Sequence, residues 1–338
     1  MYNKLLHTPE GFRDIYGTEY FKRQIVNNIL YDTIKKYNYM SIDLPAIEYF
    51  DIFSSNIGTI PSNELYKFFD KEGNTLVLRP DFTPSIARVA ATYFSDYTDS
   101  LRLMYRGNTF VNSSDLQGKL KESTEVGCEL IGEMSVDGDY EIISIMLDCA
   151  KELSIEDFQI SIGNVEFFKG LCEEFVFDEK TELDLRDMIS NKNYFGAKGI
   201  LDNTDINEEI KEAILSISEL YGSYECLLKA NELASNERSK SAIKRLMDLY
   251  EMVKASGREK YISFDLGMLS KYNYYTGPVF RGYTYGSGDA IFKGGRYDKL
   301  LEKFGKDSPA IGFSANVDQL IGVMNRNNSK LFNNISNY

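Results

Sequence analysis

Three carboxylates and four tyrosines stand at spacings suited to holding a small zwitterion. In "TEVGCELIG" (residues 124–132) the two-residue period of a strand puts Glu125, Gly127 and Glu129 on one face and Val126, Cys128 and Leu130 on the other. One side is apolar and the other acidic. At about 3.3 Å per residue the two glutamates stand roughly 13 Å apart at Cα, too far to share a proton as a catalytic dyad but able to address opposite ends of one ligand. The glycine between them lets a ligand approach the backbone. Taken alone, the same pattern reads first as a solvated strand face. "LRPDFTPSIAR" offers Asp81 and Thr83, an anion and a hydroxyl on one face if extended, suited to an ammonium group. The same run also reads as a helix cap. "KYNYYTG" supplies Tyr272, Tyr274 and Tyr275 beside a glycine, as half-buried core or as ligand walls. A glycine turn is expected at "KGGRYD" (293–298), where it would bring Tyr297 close to a ligand.

The elements that must position these groups are legible in outline. Val26, Leu30, Ile34 and Tyr37 recur at helical spacing and predict a surface helix over 19–37. Strand patterns follow at 75–80, 101–110, 124–132 and 157–165, with helical stretches around 84–94 and 139–152. Several strands succeed one another through short polar loops, which favours an antiparallel sheet with helices on its face, an α+β fold. From residue 175 to 256 the chain turns acidic, lysine-rich and helical. Ile210, Ile214, Ile217 and Tyr221 make one stripe there, and Ile243, Met247, Tyr250 and Val253 another. Strands resume at 261–269 and 277–285. The expected organisation is a core domain from 1–174 and 257–325, a helical insertion at 175–256, and a tail at 326–338 too short for another domain.

Composition narrows the function classes. The 338 residues are 43% apolar and carry 38 Lys+Arg against 51 Asp+Glu, a net charge of −13. A nucleic-acid binder needs a basic stripe to displace counterions from phosphate, and no dense Lys/Arg run is present, so no tRNA partner is expected. The four cysteines (Cys128, Cys149, Cys172 and Cys226) have no paired spacing and the single histidine is His7. Reduced structural thiols, with no metal site and no cofactor, are expected. No run approaches the roughly 20 apolar residues that span a bilayer, and the N-terminus lacks an apolar signal core. A cytoplasmic protein without membrane contact is the expectation.

Taken in this order, these segments resemble histidyl-tRNA synthetase over nearly the whole chain. The resemblance is most specific in "LRLMYRGNTFVNSSDLQGKLKESTEVGCELIG" (101–132), similar to the second class II motif and the strand returning from its loop. It continues in "NYYTGPVF" (273–280) and "GGRYDKLLEKFGKDSPAIGFSANVDQL" (294–320), similar to the family's histidine-binding loop and third motif. It implies a class II aminoacyl-tRNA-synthetase-like antiparallel sheet flanked by helices. For histidine it implies that Asp81, Thr83 and Glu125 face the α-amino group and Glu129 and Tyr275 the imidazole, with Tyr274 beside them and Tyr297 as a wall. If Glu129 meets the imidazole, its charge favours the imidazolium, and affinity is expected to weaken as pH rises from about 6 to 8.

The ATP side departs from the family. Val111 and Ser113 stand where the enzymes carry the second motif's arginine and a glutamate, Gln319 where they carry the third motif's arginine, and Ser270 where another arginine precedes the "YYTG" element. Losing three cations from a site that must neutralise a triphosphate is expected to abolish adenylation. The sequence also stops where the enzymes continue into an anticodon-binding domain. A domain with these traits resembles the ATP phosphoribosyltransferase regulatory subunits. That resemblance implies a non-catalytic subunit, required for the first step of histidine biosynthesis and conferring feedback inhibition by L-histidine. It further implies a hetero-octamer with a short-form catalytic chain and a homodimer through the synthetase-like core. The loop 112–124 is either a partner contact or a plain surface loop. The alternative is an active histidine-adenylating ligase that recruits Lys119, Lys121 or Arg296 as replacement cations.

Overall fold

The computed structural model describes residues 4–54, 60–113, 120–173, 177–269, 274–333 and 335. In chain order its elements are α1 (Gly17–Lys35), β1 (Met40–Ile42), β2 (Ile47–Tyr49), β3 (Lys67–Phe69), β4 (Thr75–Leu78), α2 (Thr83–Tyr93), β5 (Leu101–Phe110), β6 (Glu122–Ile131) and α3 (Val136–Glu152). There follow β7 (Phe158–Asn164), α4 (Val165–Cys172), α5 (Glu179–Ser190), α6 (Tyr194–Leu201), α7 (Glu208–Ser216), β8 (Tyr221–Gly222), α8 (Glu225–Leu233) and α9 (Glu237–Ala255). The chain closes with β9 (Ile262–Asp265), β10 (Pro278–Thr284), β11 (Phe292–Arg296), β12 (Ala310–Asn316) and α10 (Val317–Arg326).

Nine strands form one sheet in the order β1-β5-β6-β12-β11-β10-β7-β9-β8, and β2-β4-β3 form a second, small sheet. The six central strands of the large sheet are antiparallel throughout. Two flanking pairs, β1 with β5 and β7 with β9, are parallel. Parallel neighbours need long crossovers, and the chain supplies them: the small sheet and α2 lie between β1 and β5, and the helical segment from α4 to α9 between β7 and β9. The sheet is therefore mixed, with an antiparallel centre.

The helices form where the apolar spacing predicts them. Val26, Leu30 and Ile34 of α1 are fully buried, each burial stabilising by about 1.5–3 kcal/mol. Local caps set the boundaries: Ser135 accepts from the Asp137 amide at the start of α3, and Asn236 and Ser239 form a reciprocal capping box on α9. Tyr221 departs from its expected stripe. The α7 helix ends at Ser216, and Tyr221 lies in the edge strand β8, 62% exposed.

Both faces of the sheet's centre are covered. On one side Val126, Cys128 and Leu130 pack with α1, α3 and α10 in a large apolar cluster that continues into the 175–256 segment through Leu185, Ile189, Ile214, Leu227 and Ile243. On the other, Leu103, Tyr105, Phe82, Ile86, Tyr274, Tyr297 and Leu300 form a second cluster. All four cysteines are buried and unpaired, and burial pushes the Cys172 and Cys226 thiols up to about 12 and about 11. Among the described residues no helix is long and apolar enough to cross a membrane.

"KGGRYD" is not a turn. Residues 292–296 are the central strand β11, paired with β10 and β12 on either side. Its glycines answer to close packing: a Cβ on Gly294 would stand 2.2 Å from the Gly312 carbonyl oxygen and 2.4 Å from the Phe280 ring. On the helix-covered side of this strand Arg296 is 1% exposed and enters an ionic network with Asp139 of α3, which also receives Arg245 of α9.

Candidate functional site

Glu129 is the centre of the site. Strand β6 delivers it into the second apolar cluster, where it is 2% exposed. The Tyr297 hydroxyl donates to its Oε2 at 2.6 Å, and the Thr83 hydroxyl donates to its Oε1 at 3.1 Å. Tyr105, opposite Gly127 on β5, hydrogen-bonds the same carboxyl. Three hydroxyls from three separate segments of the chain thus fix one buried acid. The acidic strand face is not solvated at this end.

Asp81 serves two readings at once. Its Oδ1 accepts from the Thr83 amide at 3.1 Å and so supports the start of α2. Its Oδ2 stands 3.5 Å from the Tyr274 hydroxyl, the long limit of a hydrogen bond. Glu125 is half-buried two pleat repeats further along β6, where Thr109 Oγ1 donates to Oε1 at 3.3 Å and Ser314 also hydrogen-bonds the carboxyl. Tyr274 packs edge-on to Tyr297 at 6.0 Å and against Tyr275 at 4.6 Å, and Tyr275 lies over Gly295 of β11. Hydrogen bonds, ring contacts and the Asp81 charge therefore tie Asp81, Thr83, Glu125, Glu129, Tyr274, Tyr275 and Tyr297 into one cluster.

Burial dominates its electrostatics. It pushes the Glu129 carboxyl up to about 8, aided by the Asp81 charge and opposed by the Tyr297 and Thr83 hydrogen bonds. Glu125 rises to about 7 for the same first reason, with the Asp81 charge adding to the effect and the Ser314 and Thr109 hydrogen bonds opposing it. Asp81 also moves up through burial, against the hydrogen bonds from the Thr83 and Phe82 amides. Three carboxyls sharing one low-dielectric space cannot all ionise cheaply, so they titrate as a set. A ligand bringing positive charge would relieve that penalty.

Two supporting residues escaped the sequence reading. Tyr105 stacks on Phe82 at 4.3 Å, and the Arg79 guanidinium lies 4.0 Å over the other side of that ring. Arg79 is 5% exposed and donates to the carbonyls of Asn108, Leu44 and Pro45. The stack holds the floor beneath Gly107 and Gly127. Both residues sit in segments that read as strand core, and only the pairing of 101–110 with 122–131 places Tyr105 opposite Gly127.

The positions that the resemblance assigns to ATP ligands carry uncharged residues. Val111 and Ser113 follow the end of β5, and Gln319 lies in the first turn of α10. Its neighbour Asp318 receives Arg13 and Arg23 and the Thr124 amide. Ser270, Tyr272, Lys119 and much of the loop 112–124 lie outside the described residues. Arg296 fails as a replacement cation because the strand period turns it to the opposite face of the sheet, onto Asp139. Lys121 lays its stem against Gly11, and its amide donates to the Gly11 carbonyl.

Comparison with known proteins accords with this geometry. The sequence profile of the family described as histidyl-tRNA synthetase matches residues 11–320. A protein of Acetivibrio thermocellus named ATP phosphoribosyltransferase regulatory subunit is 40% identical over 95% of this chain and 77% of its own length. One of the same name from Clostridium acetobutylicum is 38% identical over 96% and 80%. A crystal structure titled ATP phosphoribosyltransferase regulatory subunit/histidyl-tRNA synthetase, from Bacillus halodurans, superposes with a TM-score of 0.86 at 32% identity, covering 94% of this chain and 83% of that one. The chain belongs to the ATP phosphoribosyltransferase regulatory subunit family, built on the class II histidyl-tRNA synthetase fold.

Proposed function

We propose that this chain is a non-catalytic subunit that binds L-histidine on its carboxylate floor and reports that occupancy to a short-form ATP phosphoribosyltransferase catalytic chain. In this reading it permits the first step of histidine biosynthesis and confers feedback inhibition, within a cytoplasmic hetero-octamer whose regulatory chains pair through the synthetase-like core. The observation that carries it is an asymmetry. Asp81, Glu125 and Glu129 converge with Tyr274, Tyr275 and Tyr297, while uncharged Val111, Ser113 and Gln319 stand where the resemblance expects ATP ligands. Each missing donor is typically worth on the order of 100-fold in rate, which argues against the adenylating-ligase alternative. Regulation requires histidine to favour the inhibited arrangement of the complex, since equal affinity shifts nothing.

Reconstitution with the catalytic chain tests the reading. Phosphoribosyl transfer is expected to depend on this chain and to fall with added histidine, and Glu125→Gln is expected to raise the histidine needed for inhibition by about tenfold. ATP–pyrophosphate exchange driven by histidine would overturn it.

The raised carboxyls also revise the expected pH dependence. Below about 7, Glu125 must lose a proton to meet an ammonium, so binding releases protons and weakens as pH falls. Between about 7 and about 8, Glu129 already holds the proton shared with a neutral imidazole, and no net exchange occurs. Above about 8 that proton must be taken up, and affinity falls as pH rises. Titration calorimetry should therefore show a maximum between about 7 and about 8, with Glu125→Gln flattening the acid limb and Glu129→Gln the alkaline one. A wild-type profile that both variants leave unchanged would remove these residues from the site.

A further inference from the structure

We propose that Lys293 and Arg281 form an oxyanion subsite at the open end of the carboxylate floor, taking the α-carboxylate of the amino acid whose ammonium meets Glu125. The inference rests on the pocket reading above and adds to it a cation that a ligand can reach. An amino acid carries both charges on one carbon. Its carboxylate must therefore lie within a few ångströms of an acidic cluster that repels it unless a cation stands close by.

Sheet register supplies that cation. Ser161, Arg281, Lys293, Ser314 and Gly127 are direct partners across five adjacent strands, β7-β10-β11-β12-β6. Directly paired residues project from the same face, so both cations rise from the side that carries Glu125 and Glu129. Ser314, between Lys293 and Gly127 in that row, hydrogen-bonds Glu125, and the Lys293 charge acts on the same carboxyl. At about 4.8 Å per strand, the Lys293 Cα lies roughly 10 Å from that of Gly127, a gap that its flexible four-carbon stem largely spans.

Two further features favour a ligand over a purely structural role. Like charges directly opposite in a sheet destabilise it, yet Arg281 and Lys293 occupy one such pair in the otherwise well-packed centre. Lys293 meets Asp289 at 3.1 Å, but both side chains are about half exposed, 52% and 47%. Pairs so exposed contribute little, and a ligand carboxylate can displace Asp289 readily. The chemistry recognised is an oxyanion next to an ammonium. A phosphate could satisfy the same two cations, and the test separates the sources.

Calorimetric titration of the full chain with L-histidine and with L-histidinol, which has a hydroxymethyl group in place of the carboxylate, is the experiment. The wild type is expected to bind histidine about tenfold or more tightly than histidinol, and Lys293→Met/Arg281→Met to bring the two within about threefold without weakening histidinol. An unchanged ratio in the double variant overturns the subsite while leaving the pocket reading intact. Failure of the wild type to bind either compound removes both. Inorganic phosphate binding that depends on the two cations, with the ratio unchanged, would identify a phosphate as occupant and overturn the carboxylate assignment. Both side chains are exposed, so the variants should fold, which thermal unfolding checks.

Discussion

Asp139→Ala is expected to destabilise the chain by about 3–5 kcal/mol, the range seen when one partner of a buried ion pair is removed. Asp139 is 0% exposed and Arg296 1%. Asp139 Oδ1 accepts from Arg296 Nε at 2.9 Å and Nη2 at 2.7 Å, and Oδ2 accepts from Arg245 Nε at 2.5 Å. An arginine cannot shed its proton to escape burial. Without the carboxylate, Arg296 would keep, among the described residues, Asp298 and the Glu133 and Ser135 carbonyls as partners. Replacing both members by apolar groups, Asp139→Leu/Arg296→Met, should cost less than Asp139→Ala alone, because the charges left behind, Arg245 and Asp298, reach solvent and no fully buried charge is stranded. Urea-unfolding midpoints of the three proteins decide this. An Asp139→Ala cost below about 1 kcal/mol would show that the network does not hold the fold.

The loss should also be felt in the pocket. Arg296 is followed directly by Tyr297, whose hydroxyl fixes Glu129 from the opposite face of the sheet. Its backbone carbonyl accepts from the Thr276 amide, beside the two tyrosines of the pocket wall. One buried guanidinium therefore sets the position of residues that line the floor on the other side. A chain with a loosened Arg296 is expected to bind histidine less well even with every pocket residue intact.

Much of this arrangement was legible from local pattern, and the rest depended on long-range register. The buried stripe of α1 and the alternation of β6 are periodic signals within ten or so residues, and both placed their side chains on the right faces. Asp81 was ambiguous between cap and ligand because the same carboxylate has one oxygen for each. Gly294 and Gly295 looked like a turn because nothing nearby in sequence shows the carbonyl of Gly312 or the ring of Phe280 pressing on them. Arg296 looked available for a nucleotide because its partner Asp139 lies 157 residues away. Residue types announce chemistry, but which face a cation takes is decided by strands that meet only in the folded sheet.

Gly312→Ala should be the most damaging small substitution in the pocket. A Cβ there would stand 1.6 Å from Glu129 Oε2 and 2.5 Å from the Cys128 carbonyl oxygen. The Cys128 backbone carbonyl cannot swing aside, and the Glu129 carboxyl must leave its position and its hydrogen bonds. Tyr297 and Thr83 would then lose their shared acceptor inside the apolar cluster, at about 1–3 kcal/mol for each unsatisfied group. Overpacking adds typically about 1–3 kcal/mol more. A large fall in thermal stability and loss of histidine binding in calorimetry are the expected results. The second variant Gly312→Ala/Glu129→Ala separates causes. Removing the carboxyl clears the closer of the two overlaps, so part of the stability should return while binding does not. Full binding by Gly312→Ala would mean that Glu129 has room to move, and the pocket would not be the rigid floor that its three hydroxyl contacts describe.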